Sequence, residues 1–244
     1  MRNFTIKHGR PLRQILGMER DTDDLGNMYL SQTRCISQLG EKHKINKSKR
    51  SKTHITPAAD LDNHENSETV DQTTYRRAIG AVLHAAVATR PDVAFAINRL
   101  STFTQDPRMK HFDAVRRLMT YMVNTQGYRI KFLASNPHSQ QLEAYSDASW
   151  KSCKRTGKGQ TGFFTLLFGS VVTWFSKRQS VVASSSAESE YIALSMTARD
   201  IIYLRNMLHE LCDEKVATAN LNVDAASAIS IAEKPGLSKK RQVR

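Results

Sequence analysis

Two stretches decide the reading: Tyr145-Ser146-Asp147-Ala148-Ser149-Trp150, and further along Ser184-Ser185-Ser186-Ala187-Glu188-Ser189-Glu190-Tyr191-Ile192-Ala193-Leu194. The first has strand character and carries an acid near its end. The second opens on helix-starting Ser and Glu residues and runs into apolar residues at helical spacing. A third acid follows in Leu221-Asn222-Val223-Asp224-Ala225. Carboxylates spread over separate rigid elements suit hard divalent cations such as Mg²⁺, which prefer oxygen ligands. A pair of such ions can stabilise both the attacking and the leaving oxygen in phosphodiester cleavage.

Outward from these acids, residues 141–244 read as mixed α/β. Leu142 to Ala148 alternates as a strand, after an earlier alternating run, Arg129-Ile130-Lys131-Phe132-Leu133. Phe163 to Phe168 and Val171 to Phe175 form a hairpin about a turn at Gly169-Ser170. A long helix spans Ala187 to Cys212, with Leu194, Ala198, Ile201, Leu204, Leu208 and Leu211 as its inward stripe. A short strand at Leu221–Asp224 and a helix at Ala226–Glu233 follow, stopped by Pro235-Gly236.

The first 135 residues are mainly helical. Ile15 to Leu30 reads as a short hairpin, and the Asp23-Asp24 pair within it serves turn chemistry. Residues 41–72 are polar and linker-like, with a basic cluster of Lys42, Lys44, Lys47, Lys49, Arg50 and Lys52. Residues 73–105 are helical, with a break at Arg90-Pro91-Asp92 because the residue before proline is pushed out of the helical region. A third helix spans His111 to Asn124, with Phe112, Val115, Leu118, Met119 and Met122 on one face.

The chain has 244 residues, is 40% hydrophobic and carries a net charge of +13. The size allows one large domain or two modest ones. The charge points to an anionic partner, nucleic acid first. Three cysteines in no metal-binding spacing fit a reducing, intracellular compartment. No apolar run approaches the roughly 20 residues of a membrane span. Ser184-Ser185-Ser186 lacks a nucleophile elbow, and Gly157-Lys158-Gly159 is no phosphate-binding loop.

Residues from about Leu16 to Lys240 resemble the C-terminal part of the Pol polyprotein of copia-type LTR retrotransposons. The motifs are Leu16-Gly17-Met18, Tyr29-Leu30-Ser31-Gln32, Tyr75 to Gly80, Thr89 to Asn98, Tyr145 to Ala148, Trp174 to Gln179, Ser185 to Leu194, and Asp224 to Ala228. Each is weak alone; their order and spacing carry the match. The resemblance implies that residues 1–135 are the end of a reverse transcriptase and its connection, a mainly helical thumb/connection remnant. Residues 141–244 are then an α/β, RNase H-like mixed sheet with flanking helices. The polymerase's own aspartates belong upstream of Met1, with the polymerase domain as a partner.

The implied activity is hydrolysis of the RNA strand of an RNA/DNA hybrid, using Mg²⁺ with Mn²⁺ as an alternative, in the cytoplasm (particle-associated) or nucleus. Asp147 and Asp224 match the first and third acids of the family. The second is Glu188 or Glu190. Ser185-x-x-Glu188 fits a capping box, with Glu188 reaching back to the Ser185 amide. Glu190 directly precedes the apolar stretch, as the family's catalytic Glu does, and lies on or beside the inward stripe four residues before Leu194. Glu190 is therefore the chosen ligand. Lys154, Arg155, Lys158, Lys177 and Arg178 are candidate phosphate contacts. A fourth family acid is expected after the turn Ser238-Lys239-Lys240-Arg241, where the tightest alignment places Arg244. On this reading the domain is truncated at its C-terminus and cleavage is weak or absent. The rival reading is an inactive Pol fragment that binds nucleic acid or serves as a structural connection.

Overall fold

A computed structural model describes residues 13–45, 51, 61–62, 67–135, 142–212 and 219–233. The chain divides into two compact units. The first comprises residues 1–59 and 67–135, and the second residues 60–66 and 136–244.

The first unit holds a four-stranded antiparallel sheet, ordered β1 (Gln14–Ile15), β2 (Met18–Thr22), β3 (Met28–Ser31) and β4 (Ile130–Phe132). The Arg129–Leu133 run thus closes this sheet against β3, rather than continuing into the strands that follow it in sequence. Leu16 and Gly17 both take positive φ, 50° and 79°, and form the two-residue turn between β1 and β2. Asp23 accepts hydrogen bonds from the Leu25 and Asn27 amides, the Asn27 side chain and the Tyr29 hydroxyl. Those bonds, the one from the Asn27 side chain foremost, together hold its carboxyl below the usual range against the opposing effect of burial. Asp23 is a turn residue.

Helices α1 (Thr33–Lys42), α2 (Gln72–Ala88), α3 (Ala94–Ser101) and α4 (Met109–Asn124) build the core of this unit. Tyr75, Ala78, Val82, Ala96, Ile97, Leu100, Val115, Leu118 and Met122 are all buried within it. The break at Arg90-Pro91-Asp92 does more than stop a helix. Arg90 is 1% exposed. Its guanidinium donates twice to Asp92, at 2.9 and 2.7 Å, and also to the Thr125 carbonyl and hydroxyl. Burial pushes the Asp92 carboxyl up, but the Arg90 bonds and charge hold it below its ordinary value overall.

The linker-like span 41–72 is only partly a linker. Its first residues end α1, and Glu68 to Val70 bond to Pro107 through Met109. Asp71 caps α2 by accepting from the Thr74 amide at 2.7 Å. Lys47, Lys49, Arg50 and Lys52 of the basic cluster lie outside the described residues.

The second unit is a four-stranded mixed sheet. Its strands are β5 (Leu142–Ser149), β6 (Gln160–Leu167), β7 (Ser170–Arg178) and β8 (Ala219–Val223), in the order β7-β6-β5-β8. The first three pair antiparallel, and β8 adds parallel to β5. The β6–β7 turn is Phe168-Gly169, with φ 51° and 76°, one residue earlier than the sequence suggests. α5 (Ser186–Cys212) connects β7 to β8, and α6 (Ala226–Glu233) follows. Leu142 and Ala144 of β5 pack against Ile201 and Leu204 of α5, flanked by Leu167, Val172, Met207, Ala219 and Leu221.

The α5 stripe differs from expectation. Ser189, Ala193, Thr197, Ile201 and Leu204 are buried, Leu194, Ala198 and Leu208 are half-buried, and Leu211 is 72% exposed. The polar members of the stripe are bonded: the Ser189 hydroxyl donates to the Gln179 side-chain oxygen and the Thr197 hydroxyl to the Ala193 carbonyl within the helix. Asp200 fastens it by accepting from Thr165 and Thr173 on neighbouring strands. No described helix is long and apolar enough to cross a membrane.

Candidate metal centre

The parallel pairing of β5 and β8 sets the site. Both strands point their carboxyl ends the same way, and their register ends at Ser146 opposite Val223. Asp147 is the next residue on β5, facing Gly162 of β6. Asp224 is the first residue after β8, where the chain leaves the sheet. Crevices at the carboxyl ends of parallel strands are recurrent ligand sites. Asp224 does not occupy the cap position of α6, because the first helical bonds run to the Ala225 carbonyl.

The N-terminal part of α5 supplies the third acid. The Glu188 amide donates to the Ser185 hydroxyl at 3.2 Å. The Glu188 carboxylate accepts from the Ser184 amide at 2.7 Å and from the Ser184 hydroxyl. Glu188 thus reaches back as a capping box does, but to Ser184 rather than to the expected Ser185 amide. Glu190, two residues on, has turned from that cap to the sheet.

One oxygen from each of Asp147, Glu190 and Asp224 lies within 4.8 Å of the others. The two aspartates are exposed and Glu190 is half-buried. Burial is the main force pushing the Glu190 carboxyl above its ordinary value. The charge of Asp147 and, less, that of Asp224 push the same way, while the Ala148 amide opposes them. Glu190 Oε2 is buried without a hydrogen-bond partner. A buried carboxylate oxygen left unpaired between two like charges is costly. A divalent cation would relieve the desolvation and both repulsions at once. The all-oxygen donor set fits Mg²⁺ or Mn²⁺ and not a soft metal.

Basic residues gather at the same end of the sheet. Ser149, Gln160 and Arg178 lie side by side in register on β5, β6 and β7. Lys154 and Arg155 are exposed in the turn between β5 and β6. Lys158 donates to the Ser180 carbonyl, and exposed Lys177 pairs with Thr161. Ser238 to Arg241 and Arg244 lie outside the described residues. Gln179 is 4% exposed and bonds to Ser189, the neighbour of Glu190, but the sequence shows it only as the last residue of the motif Trp174 to Gln179 and gives it no site role. The signal that it does more is a large polar amide directly after a strand.

No family model and no solved structure matches the chain. Among curated proteins, it is 31% identical over 217 residues to the retrovirus-related Pol polyprotein from transposon TNT 1-94 of Nicotiana tabacum, covering 86% of this chain and 16% of that one. It is 32% identical over 208 residues to the corresponding polyprotein from transposon RE1 of Arabidopsis thaliana, covering 85% of this chain and 14% of that one. A shorter relative, secreted RxLR effector protein 161 of Plasmopara viticola, is 38% identical over 130 residues, which is 53% of this chain and 90% of that protein. The chain thus spans a small fraction of the two polyproteins, and these likenesses cover most of both its units: it belongs to the Pol polyproteins of copia-type retrotransposons.

Proposed function

We propose that the second unit is an RNase H domain, which hydrolyses the RNA strand of RNA/DNA hybrids with Mg²⁺ or Mn²⁺. The observation that carries this is the convergence of Asp147, Glu190 and Asp224 at the ends of β5 and β8 with a buried, unpartnered Glu190 oxygen. The three antiparallel strands, crossover helix and parallel fourth strand support an RNase H-like fold for residues 142–233.

Asp147, Glu190 and Asp224 hold the metal in this reading. Bound divalent cations supply Lewis acidity that activates water and stabilises the leaving oxygen. Lys154, Arg155, Lys158, Lys177 and Arg178 position backbone phosphate, which fixes register on the duplex without reading sequence. The first unit is the end of a reverse transcriptase and its connection, and its partner is the polymerase domain upstream in a full element.

The test uses a hybrid carrying labelled RNA. From this chain we expect weak RNA cleavage or none. From a chain extended past Arg244 by a family-like tail we expect stronger cleavage that requires Mg²⁺ or Mn²⁺, spares the DNA strand and disappears in Asp147→Asn. An intact hybrid from both chains in both metals, or cleavage that survives Asp147→Asn, overturns the proposal.

A further inference from the structure

Gln179 directly follows β7 and sits inside a polar node. It is 4% exposed, and Ser189 and Thr161 are fully buried. Its side-chain nitrogen donates to the Thr161 hydroxyl at 3.1 Å and to the Ser189 carbonyl at 2.9 Å. Its side-chain oxygen accepts from the Ser189 hydroxyl at 3.1 Å. Its backbone amide donates to the Gly159 carbonyl at 2.8 Å. Both donor hydrogens and the acceptor of the amide are therefore in use.

The node ties three elements that meet at the acids. Thr161 lies opposite Ala148 on β5, the residue after Asp147. Ser189 directly precedes Glu190. The backbones approach so closely at Gly159 that a Cβ there would stand 2.8 Å from Gln179 Oε1, 2.8 Å from Ser189 Oγ and 3.0 Å from the Ser149 carbonyl. A buried network with every group satisfied fixes one arrangement of its elements.

We propose that Gln179 is a positioning residue for Glu190: it grips both ends of Ser189 and sets the first turn of α5 at one distance from β5, so that Glu190 meets Asp147. This rests on the reading of the three acids as a metal centre. Partners of this kind behind a ligand typically change metal affinity 10–100-fold when removed.

The experiment measures Mn²⁺ affinity of the full chain by calorimetry, with thermal unfolding in the absence of metal beside it. Gln179→Leu and Ser189→Ala each remove one side of the grip. We expect each to weaken Mn²⁺ binding about tenfold or more. Amide exchange at residues 187–191 of the metal-free protein should also quicken. Leu204→Ala, in the core of the same unit, is the comparison. It should lower the unfolding temperature as much or more and leave Mn²⁺ affinity within about twofold, because it relaxes packing far from Glu190. Should Gln179→Leu fail to fold, Ser189→Ala carries the test.

Unchanged Mn²⁺ affinity in the folded node variants, while Asp147→Asn loses it, overturns the positioning role alone. Equal weakening by Leu204→Ala also overturns it. No Mn²⁺ binding by the native chain overturns the metal centre itself, and the positioning role with it.

Discussion

Glu188 and Glu190 lie two residues apart at the start of α5, yet their carboxylates face opposite tasks. Glu188 folds back onto the Ser184 amide and hydroxyl, and Glu190 faces Asp147 and Asp224. Glu188→Ala should therefore cost about 0.5–2 kcal/mol of stability, the usual loss of a helix cap, with metal affinity and turnover nearly unchanged. Glu190→Ala should do the reverse. Chemical denaturation set beside metal titration checks the pair; a Glu188→Ala protein that loses metal binding would exchange the two assignments.

The raised Glu190 carboxyl makes stability depend on pH in an uncommon direction for an acid. Native Glu190 binds its proton more tightly than the unfolded chain does, so its contribution to metal-free stability is full at low pH. That contribution is lost as pH rises through the native pKa. Most other shifted carboxyls here, Asp23, Asp71 and Asp92, run the opposite way. The Glu190 part is isolated by subtracting the profile of Glu190→Gln. Across about pH 4–8, native minus variant stability should fall with pH in chelator. With Mg²⁺ the difference should flatten or invert, because the cation displaces the proton. A difference that rises with pH in chelator contradicts the assignment.

The Arg90 pair makes a separate prediction for the first unit. Arg90→Met leaves the Asp92 carboxylate without its bidentate partner, and removing one member of a buried pair costs about 3–5 kcal/mol. Asp92 is 30% exposed, so the lower end is expected. Arg90→Met combined with Asp92→Leu should recover more than half of the loss. A double variant no more stable than the single one would show that Thr125 and the rings of Tyr121 and Tyr128, which flank the guanidinium, carry the effect instead.

Two glycines of the same unit should respond oppositely to alanine. A Cβ at Gly40 would stand 2.8 Å from Val123 Cγ2, whereas nothing lies within 4 Å of one at Gly80. Gly40→Ala should cost about 1–3 kcal/mol through overpacking, and trimming Val123 to Ala should relieve it. Gly80→Ala, inside α2, should add about 0.5–1 kcal/mol. Urea midpoints of the three proteins decide the matter.

Hybrid binding should weaken steeply with salt, by roughly 0.7–0.9 log units per contacted phosphate for each log unit of salt. Replacing Lys154, Arg155 and Lys158 together by Gln should flatten that slope. An unchanged slope would move the nucleic-acid path away from the β5–β6 turn.

Much of this was legible in the sequence because local signals coincide with the elements. The break at Pro91, the β6–β7 hairpin and the start of α5 each carry their own punctuation. Asp147, Glu190 and Asp224 stand out from other acids only through the motifs shared with the retrotransposon family. The capping-box spacing at Ser185 and the apolar stretch after Glu190 set Glu190 apart from Glu188. One oxygen of each of the three lies within 4.8 Å of the others. What stayed hidden depends on contacts distant in sequence. Arg90 read as a helix stop because its partners include Thr125. The first half of the α5 stripe read one residue off, Leu194 and Ala198 in place of Ala193 and Thr197, because Ser189 and Thr197 are buried polar residues that apolar periodicity does not register; Ile201 and Leu204 are buried as expected. Ile130–Phe132 read as a strand, but only pairing with β3 shows which sheet it joins.

The parallel β5–β8 pair also bears on when the site can exist. Asp147 and Asp224 come from strands at opposite ends of the second unit's sequence, with a hairpin and the whole of α5 between them. Closing so long a loop precedes any reward from the contact, and such topologies fold slowly. During synthesis β8 leaves the ribosome after β5, β6, β7 and α5, so helix and hairpin can form while the three acids remain apart. Divalent-ion response is then a late marker of folding, and a refolding experiment should recover helical signal well before it recovers metal affinity.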